Sequence, residues 1–401
     1  MKIPLVPVRE LAEQIRGVTY SKGEASATPA PDRLPILRAG NIQDEGLDLS
    51  DLIFVPDSRI ADKQKIRIND VVIAASSGSL DVVGKAAQAR QDFRGSFGAF
   101  CKVLRPNGQV EPRYFAHYFR TAAYRAKVSS LAAGANINNL RNEHLADLKI
   151  PLPPFEKQRR IADALDRADE VRIKRREVLA HLDELTHSIF LNLGRCNTTK
   201  FDWDSSLQLG QVADISSGIT KGRKTSEKSL RNIPYLAVVN VQDKRLALSN
   251  VKQIEASEHE IERYRLCKDD LLLTEGGDPD KLGRGSLWNN ELPEAIHQNH
   301  IFRVRINEPR RVHPVYLNHL VSSERGKKYF LQSAKQTTGI ASINMAQLRR
   351  FPLLLPPIEV QQEFARQVSA VQLLREAHQA SLSELDALFA SLQDRAFRGL
   401  L

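Results

Sequence analysis

Two long stretches of the chain carry apolar residues on an alternating three- and four-residue spacing. In the first, Ile161, Ala164, Ala168, Val171, Arg175, Val178, Leu182, Leu185 and Ile189 form the stripe, with only Arg175 out of character. The same positions 203 residues later read Phe364, Gln367, Val371, Leu374, His378, Ser381, Leu385, Leu388 and Leu392, apolar at six of nine. A stripe of that period is the seam of a coiled coil, and two of matching length in one chain predict that they pair with each other. Each helix is announced by a double proline, Pro153-Pro154 and Pro356-Pro357, which suits a first helical turn and not an interior. Glu156 and Glu359 follow in that first turn, where the helix dipole favours an acid.

The repeat extends beyond the helices. Pro151-Leu-Pro-Pro-Phe-Glu-Lys-Gln158 returns as Leu354-Leu-Pro-Pro-Ile-Glu-Val-Gln361. Ile68-Asn-Asp-Val-Val-Ile73 returns as Lys268-Asp-Asp-Leu-Leu-Leu273, Glu111-Pro-Arg-Tyr114 as His313-Pro-Val-Tyr316, and Pro35 to Asn41 as Pro234 to Asn240. Order and spacing are kept while most side chains differ, so one module has been duplicated and has diverged. Ahead of each helix lie roughly 150 residues of short apolar runs among Gly, Ser, Asp and Asn, such as Val71 to Ala75 and Asp270 to Thr274, which predict strands and loops. Helices are expected over Arg113 to Val128 and Pro314 to Leu331. The polar stretch Arg195 to Ser206 is the candidate linker. The first helix leaves one module and enters the second, so the second helix must run back antiparallel to close the seam. That pairing brings Arg175 and His378, each near the middle of its seam, close to one another.

Charge then points to a partner. The chain carries Lys+Arg 58 against Asp+Glu 48, a formal +10. Residues 155–193 are neutral overall and residues 358–401 carry −2, so the modules together hold +12. A globular surplus of that size suggests a polyanion. Aromatic residues are only 6%, thin for the stacking platforms that grip single strands, which leaves duplex DNA. The strongest basic clusters lie in loops: Lys221, Arg223, Lys224, Lys228 and Arg231 in the second module, and Arg90 with Arg94 in the first. Lys85, Lys281 and Arg284 complete the basic set. Phosphate contact is their expected role, because base contacts are a minority of protein–DNA hydrogen bonds. The small-residue loops containing Ser76 and Ser77, and Thr274 to Gly277, occupy equivalent places and could approach a groove.

Motifs for chemistry are missing. Gly78 to Lys85 has the wrong glycine spacing for a phosphate loop, and Ala86 stands where a magnesium-binding hydroxyl belongs. His259-Glu260 lacks the second histidine of a zincin. His297 and His300 have no third ligand nearby and read as a polar strand entry. Asp278, Asp280 and Lys281 lack the following strand of a nuclease, and read as a glycine-rich loop. No GxGxxG follows a strand. Leu152-Pro-Pro-Phe155 is similar to the Asn-Pro-Pro-aromatic signature of amino-group DNA methyltransferases, but leucine replaces the amide that would hold the base. Cys101, Cys196 and Cys267 fit neither a zinc motif nor a disulfide framework and are expected as free thiols. No run approaches the length of a membrane span, and the first residues lack a signal-peptide apolar region, so a cytoplasmic protein is expected.

A module of about 150 residues that closes in Pro-Pro-hydrophobic-x-x-Gln and a long helix, with the whole repeated, resembles the specificity subunit of a type I restriction-modification system. The resemblance covers essentially the whole chain. It rests on Pro153-Pro154-Phe155 with Gln158 and Ile161, and on Pro356-Pro357-Ile358 with Gln361 and Phe364. The commonest family form has Glu directly before that Gln; here Lys157 and Val360 stand there and the acid comes one residue earlier. The resemblance implies an α+β (mixed α/β) protein of pseudo-twofold plan. Target-recognition domains at residues 1–152 and 198–355 would alternate with spacer helices at 153–197 and 356–401. It also implies a chain without catalytic residues, metal or cofactor, whose domains each read half of a bipartite double-stranded DNA site. S-adenosylmethionine would be carried by DNA-adenine methyltransferase (modification) subunits, and ATP with Mg by a restriction/translocase subunit. Two other readings of the residues stay open here: a standalone DNA-binding regulator, and a non-catalytic coiled-coil interaction scaffold.

Overall fold

The computed structural model describes residues 3–132, 138–196, 207–223, 227, 229–278, 281–337 and 340–401. The chain forms two units, residues 1–180 with 377–401 and residues 181–376. Lys224, Lys228, Asp280 and nearly all of the candidate linker lie outside the described residues.

Each unit is built on the same mixed plan. In the first, an antiparallel four-stranded sheet runs in the order Ala12–Arg16, Cys101–Pro106, Val71–Ala74, Ala86–Gln88. A three-stranded sheet sets Arg33–Leu37 between Ile53–Pro56 and Ser96–Phe97. In the second unit the matching sheets are Ala213–Ser217, Ile301–Ile306, Leu271–Thr274, Gly285–Leu287, and Lys252–Ala256, Arg231–Leu236, Ile296–His297. The apolar runs read as continuous because both sheet faces are covered. Val71 and Ile73 join one core while Val72 and Ala74 join another, and Leu271 and Leu273 are divided in the same way from Leu272.

The helix expected before each long helix is broken in two, as Pro112–Tyr118 with Ala122–Ala132 and Pro314–Ser322 with Glu324–Ser333. A hydroxyl makes each break. Thr121 Oγ1 accepts from the Tyr124 amide at 3.2 Å and Ser323 Oγ from the Gly326 amide at 3.2 Å, capping a new helix where the pattern suggested continuation.

The repeated prolines, glutamine and tyrosine form one clamp in each unit. Gln158 Oε1 accepts from the Glu111 amide at 2.9 Å while its Nε2 donates to the Pro153 carbonyl at 2.8 Å. Gln361 accepts from His313 at 2.9 Å and donates to Pro356 at 2.8 Å and Arg311 at 2.9 Å. The Tyr114 hydroxyl donates to Pro151 and the Tyr316 hydroxyl to Leu354, at 2.7 and 2.8 Å. Gln158 is buried, so Gln158→Leu strands the Glu111 amide and the Pro153 carbonyl at roughly 1–3 kcal/mol each. We expect a loss of about 2–4 kcal/mol in denaturant unfolding; a loss under about 0.5 kcal/mol would remove the clamp from the account.

The long helices span Phe155–Cys196 and Ile358–Phe397. Their buried and half-buried seam runs through Ile161, Leu165, Ala168, Arg172, Arg175, Leu179, Leu182, Thr186 and Ile189, and 203 residues on through Phe364, Val368, Val371, Arg375, His378, Leu382, Leu385, Phe389 and Leu392. The expected seam is thus met at every second position and displaced by one residue between them. Val171, Leu185, Leu374 and Leu388 are exposed by 47%, 46%, 53% and 54%, and Val178 is half-buried beside Leu179. The spacing from Ile161 is four-three, not three-four, and at two of the displaced positions, 172 and 375, an arginine is held in the seam by a carboxylate. In the first unit Arg172 Nε donates to Asp386 Oδ1 at 2.6 Å, and Arg175 hydrogen-bonds His378 Nδ1. In the second, Arg375 Nε donates to Asp183 Oδ1 at 3.0 Å. Residue 172 shifted by 203 is 375, and 183 shifted by 203 is 386, so each unit holds the same pair and its helix segments run antiparallel.

Both units pack aromatic rings onto the long helices, Phe397 against Tyr114 and Tyr118 in the first, and among the described residues the first adds a charge network. In the first, Arg113 reaches Asp163 and Asp166 at 2.8 and 3.2 Å, Arg120 grips Asp169 at 2.6 and 3.1 Å, and Arg172 reaches Asp169 at 2.8 Å. In the second, the rings of Phe190, Tyr316, His319 and Phe364 pack edge to face and tilted. Burial pushes the imidazoles of His117, His297 and His319 below their ordinary value, His297 to about 4 and His319 to about 3. All three are therefore neutral in the fold at pH 7, whereas in the unfolded chain they protonate below about pH 6.5. Their contribution is complete above that pH and falls as pH drops below it, for His297 and His319 by up to about 1.4 kcal/mol per pH unit each as pH falls toward 4. Urea unfolding at pH 7 and pH 5 should show this loss, and His319→Leu should reduce it; an unchanged pH slope in the variant would exclude His319 as a source.

Candidate nucleic-acid interface

One exposed corner recurs in both units. In the first, the strand Ser76–Ser77 pairs with Asn138–Asn139, and both the Ala75 and Ser76 amides donate to the Phe100 carbonyl, at 2.8 and 3.0 Å. In the second, Gly276–Gly277 pairs with Ile340–Ser342, which also pairs with Lys335–Thr337. There the Glu275 amide donates to the His300 carbonyl at 3.0 Å. Residue 100 and residue 300 thus occupy the same turn against the same ladder.

Close backbone approach fixes that turn. The Val18 amide donates to the Phe97 carbonyl and the Ile219 amide to the His297 carbonyl, both at 2.8 Å. A Cβ on Gly17 would lie 2.0 Å from the Gly98 oxygen, and one on Gly218 would lie 1.9 Å from the His297 oxygen. Only glycine permits this contact. The turn is therefore carried on sheet backbone and presents residue 100 or 300 from a defined place.

The side chains at the corner differ between units. Phe100 is 66% exposed, the most exposed aromatic ring among the described residues. His300 is exposed and its Nδ1 lies 2.7 Å from Glu275 Oε2. Arg16 and Arg141 in the first unit and Lys221 and Lys335 in the second flank the ladder or turn in sequence; all four are exposed, and none makes an ion pair among the described residues.

The expected basic residues fare differently. Ser76 and Ser77 lie in the ladder. Arg94 and Lys221 are exposed and make no ion pair among the described residues. Arg90 is turned onto the helix Phe155–Cys196, with Nη2 3.1 Å from Asp166. Arg223 is held by both oxygens of Glu260, and Arg231 by Glu258 and Glu294 at 2.5 and 2.7 Å. Lys85 sits 3.9 Å from Asp44, Lys281 pairs with Asp278, and Arg284 donates to Gln242 at 3.1 Å. The cluster that looked basic between residues 221 and 231 is thus partly neutralised by acids from the helix Glu258–Tyr264 and by Glu294. Arg223 also holds the Glu260 carboxyl down at about 2, the hydrogen bond being the main cause. The turn at residues 100 and 300 was not singled out in the sequence as a shared position. Its signal was the alignment of Phe97-Gly-Ala-Phe100 with His297-Gln-Asn-His300. His297 is fully buried, with Nδ1 3.2 Å from the Tyr264 carbonyl, as befits a strand residue. Among the described residues no group of three or more His, Cys, Asp or Glu could hold a metal ion.

The family model of the type I restriction modification DNA specificity domain matches the chain twice, over residues 6–182 and 201–387. The chain is 31% identical over 412 residues to the type I restriction enzyme StySPI specificity subunit of Salmonella potsdam, covering 98% of this chain and 88% of that protein. It is 31% identical over 416 residues to the EcoKI specificity subunit of Escherichia coli, covering 99% and 89%. In fold it is similar to the S subunit of a type I restriction-modification system from M. genitalium, with a TM-score of 0.52 at 14% identity over 98% of this chain and 96% of that one. A chain from a structural study of complex assembly and conformational transition of the type I R-M system gives a TM-score of 0.56 at 17% identity, covering 100% of both chains.

Proposed function

The chain belongs to the type I restriction-modification DNA specificity family, and from that premise we propose that it is the DNA-reading subunit of a type I complex, each unit taking one half of a bipartite duplex site. The observation that carries this is the recurring corner, where one backbone turn presents different side chains in the two units. A duplicated reader that must recognise two unlike half-sites needs that combination of constant scaffold and variable contact. The exposed basic residues around the corner supply phosphate attraction without sequence preference.

In this reading the chain itself transfers no methyl group and cuts no DNA. Modification subunits bring S-adenosylmethionine and methylate adenine, and a restriction subunit brings ATP and Mg. The long helices dock the modification subunits and hold the readers apart. No described helix is long and apolar enough to cross a membrane, and we place the complex on cytoplasmic DNA. Mapping methylated adenines in the source genome with and without this gene tests the reading. Loss of one bipartite methylated motif is expected; an unchanged pattern in a strain that expresses the partner subunits would overturn it. Methyl transfer from S-adenosylmethionine to DNA by the purified, partner-free chain would overturn the non-catalytic assignment.

A further inference from the structure

We infer that residue 100 in the first unit and the Glu275–His300 pair in the second are base-reading, specificity-determining contacts, with Phe100 selecting a thymine and Glu275–His300 selecting a base that carries an exocyclic amino group. The inference rests on the proposed DNA-reading function and assigns particular side chains within it.

Three observations lead there. The first is the shared scaffold: residues 100 and 300 accept the same backbone hydrogen bond from the ladder strand, at 2.8 and 3.0 Å, and both turns are pinned by a glycine that tolerates no side chain. What differs between the readers at this corner is therefore side-chain chemistry and not position. Second, Phe100 leaves two thirds of its surface in water, while the other described phenylalanines apart from Phe155 are buried or half-buried. A ring held out on a rigid turn beside Ser76, Ser77 and Asn139 gains burial only against a partner. In the major groove the apolar group at a base edge is the thymine 5-methyl, for which phenylalanine is a suitable contact.

The third observation is the polarity of the second corner. His300 Nδ1 faces Glu275 Oε2 at 2.7 Å and His300 Nε2 lies 3.5 Å from Asn299 Nδ2, so with Nδ1 donating to the carboxylate and Nε2 accepting from the Asn299 amide, the remaining carboxylate oxygen is the open acceptor of the corner. Acceptors in the major groove match the amino groups of cytosine N4 and adenine N6, and they repel the acceptor edges of guanine and the O4 of thymine. The second corner thus favours cytosine or adenine at its position. Lys221, exposed two residues beyond the Ile219 carbonyl that accepts the Asn299 amide at 3.0 Å, would serve in this reading as a phosphate contact.

The test is motif selection. The chain, assembled with its modification subunits, is used to enrich duplexes from a random library, and the experiment is repeated with Phe100→Ala, Phe100→Tyr, Glu275→Gln and His300→Ala. The wild-type complex should enrich a bipartite motif. Phe100→Ala should relax one thymine in one half-site by about 5- to 100-fold and leave the other half unchanged. Glu275→Gln and His300→Ala should relax one cytosine or adenine in the other half by a similar factor. Phe100→Tyr keeps the ring and adds only an exposed hydroxyl, so it keeps the thymine preference readable if the alanine variant fails to fold. Failure of the folded wild-type complex to enrich any motif would overturn the proposed function itself. A clear wild-type motif that the variants leave unaltered would overturn only the assignment of these residues. So would a loss of affinity spread evenly over all sequences, which is the mark of a phosphate contact.

Discussion

Exchanging residues 1–152 for the corresponding segment of another family member is expected to change one half of the recognised site and leave the other half intact, with affinity for the original site falling by roughly 10³-fold or more. The reason is that each unit carries its own ladder, turn and basic flank. The main clamp to the long helix survives such an exchange, because Gln158 bonds the Glu111 amide and the Pro153 carbonyl, and backbone groups do not depend on the donor's sequence. The charged contacts do not survive by default. Arg90, Arg113 and Arg120 reach from the exchanged segment to Asp163, Asp166 and Asp169, and the Asp169 side chain is only 1% exposed. A donor without those arginines would leave a buried carboxylate partly unpaired, so the helix acids should be exchanged with the segment. Exchange of residues 198–355 carries a different condition, rings at the Tyr316 and His319 positions to pack on Phe190 and Phe364. The measurement is the motif recovered with each chimera; alteration of both halves by the first exchange would end the two-reader account.

Much of this architecture was legible because a duplication gives every functional constraint twice. Gln158 and Gln361, Tyr114 and Tyr316, and the Asn-Asp and Asp-Asp dipeptides before the buried strands stood out as repeats, and each proved to be a side chain that satisfies backbone or charge in its unit. The seam was displaced at alternate positions for a physical reason. Arg172 and Arg375 look like surface residues by hydrophobicity, and their neighbours Val171 and Leu374 look like core. The preference reverses once Asp386 and Asp183 arrive from the opposite helix, a contact that no local pattern contains. The same blindness applied to the basic loops. Arg223 and Arg231 lie close in sequence to other basic residues, and the glutamates that neutralise them lie 27 to 63 residues away. Hydrophobic periodicity located the cores well because it is a local signal, whereas the fate of a charge depends on what the fold brings to it.

The largest effect on stability is expected from Asp70→Ala. Asn69 and Asp269 take the left-handed conformation, with φ of 74° and 70°, which Asn and Asp adopt more readily than most residues. That turn directs the next side chain inward. Asp70 is fully buried; its Oδ1 and Oδ2 accept from Arg105 Nε and Nη2 at 2.8 and 2.7 Å, and Oδ2 also accepts from the Arg67 amide at 2.8 Å. Asp270 repeats the arrangement with Arg305 at 2.7 and 2.8 Å and the Cys267 amide at 2.7 Å. A two-pronged pair of this kind is geometrically demanding. Removing the acid leaves a mostly buried guanidinium without its partner and an amide without its acceptor, which costs about 3–5 kcal/mol. Arg105 is 15% exposed and Arg305 37%, so water can compensate Arg305 more fully, and Asp270→Ala should cost less than Asp70→Ala. For units of this size each kcal/mol lowers Tm by about 2–4 °C, which puts the first variant roughly 6–20 °C below wild type. Asp70→Ala combined with Arg105→Met removes the stranded charge as well and should recover part of the loss. If the double variant were as unstable as Asp70→Ala, the unpaired arginine would not be the cause, and the cost would instead belong to the Arg67 amide and the turn that the carboxylate closes.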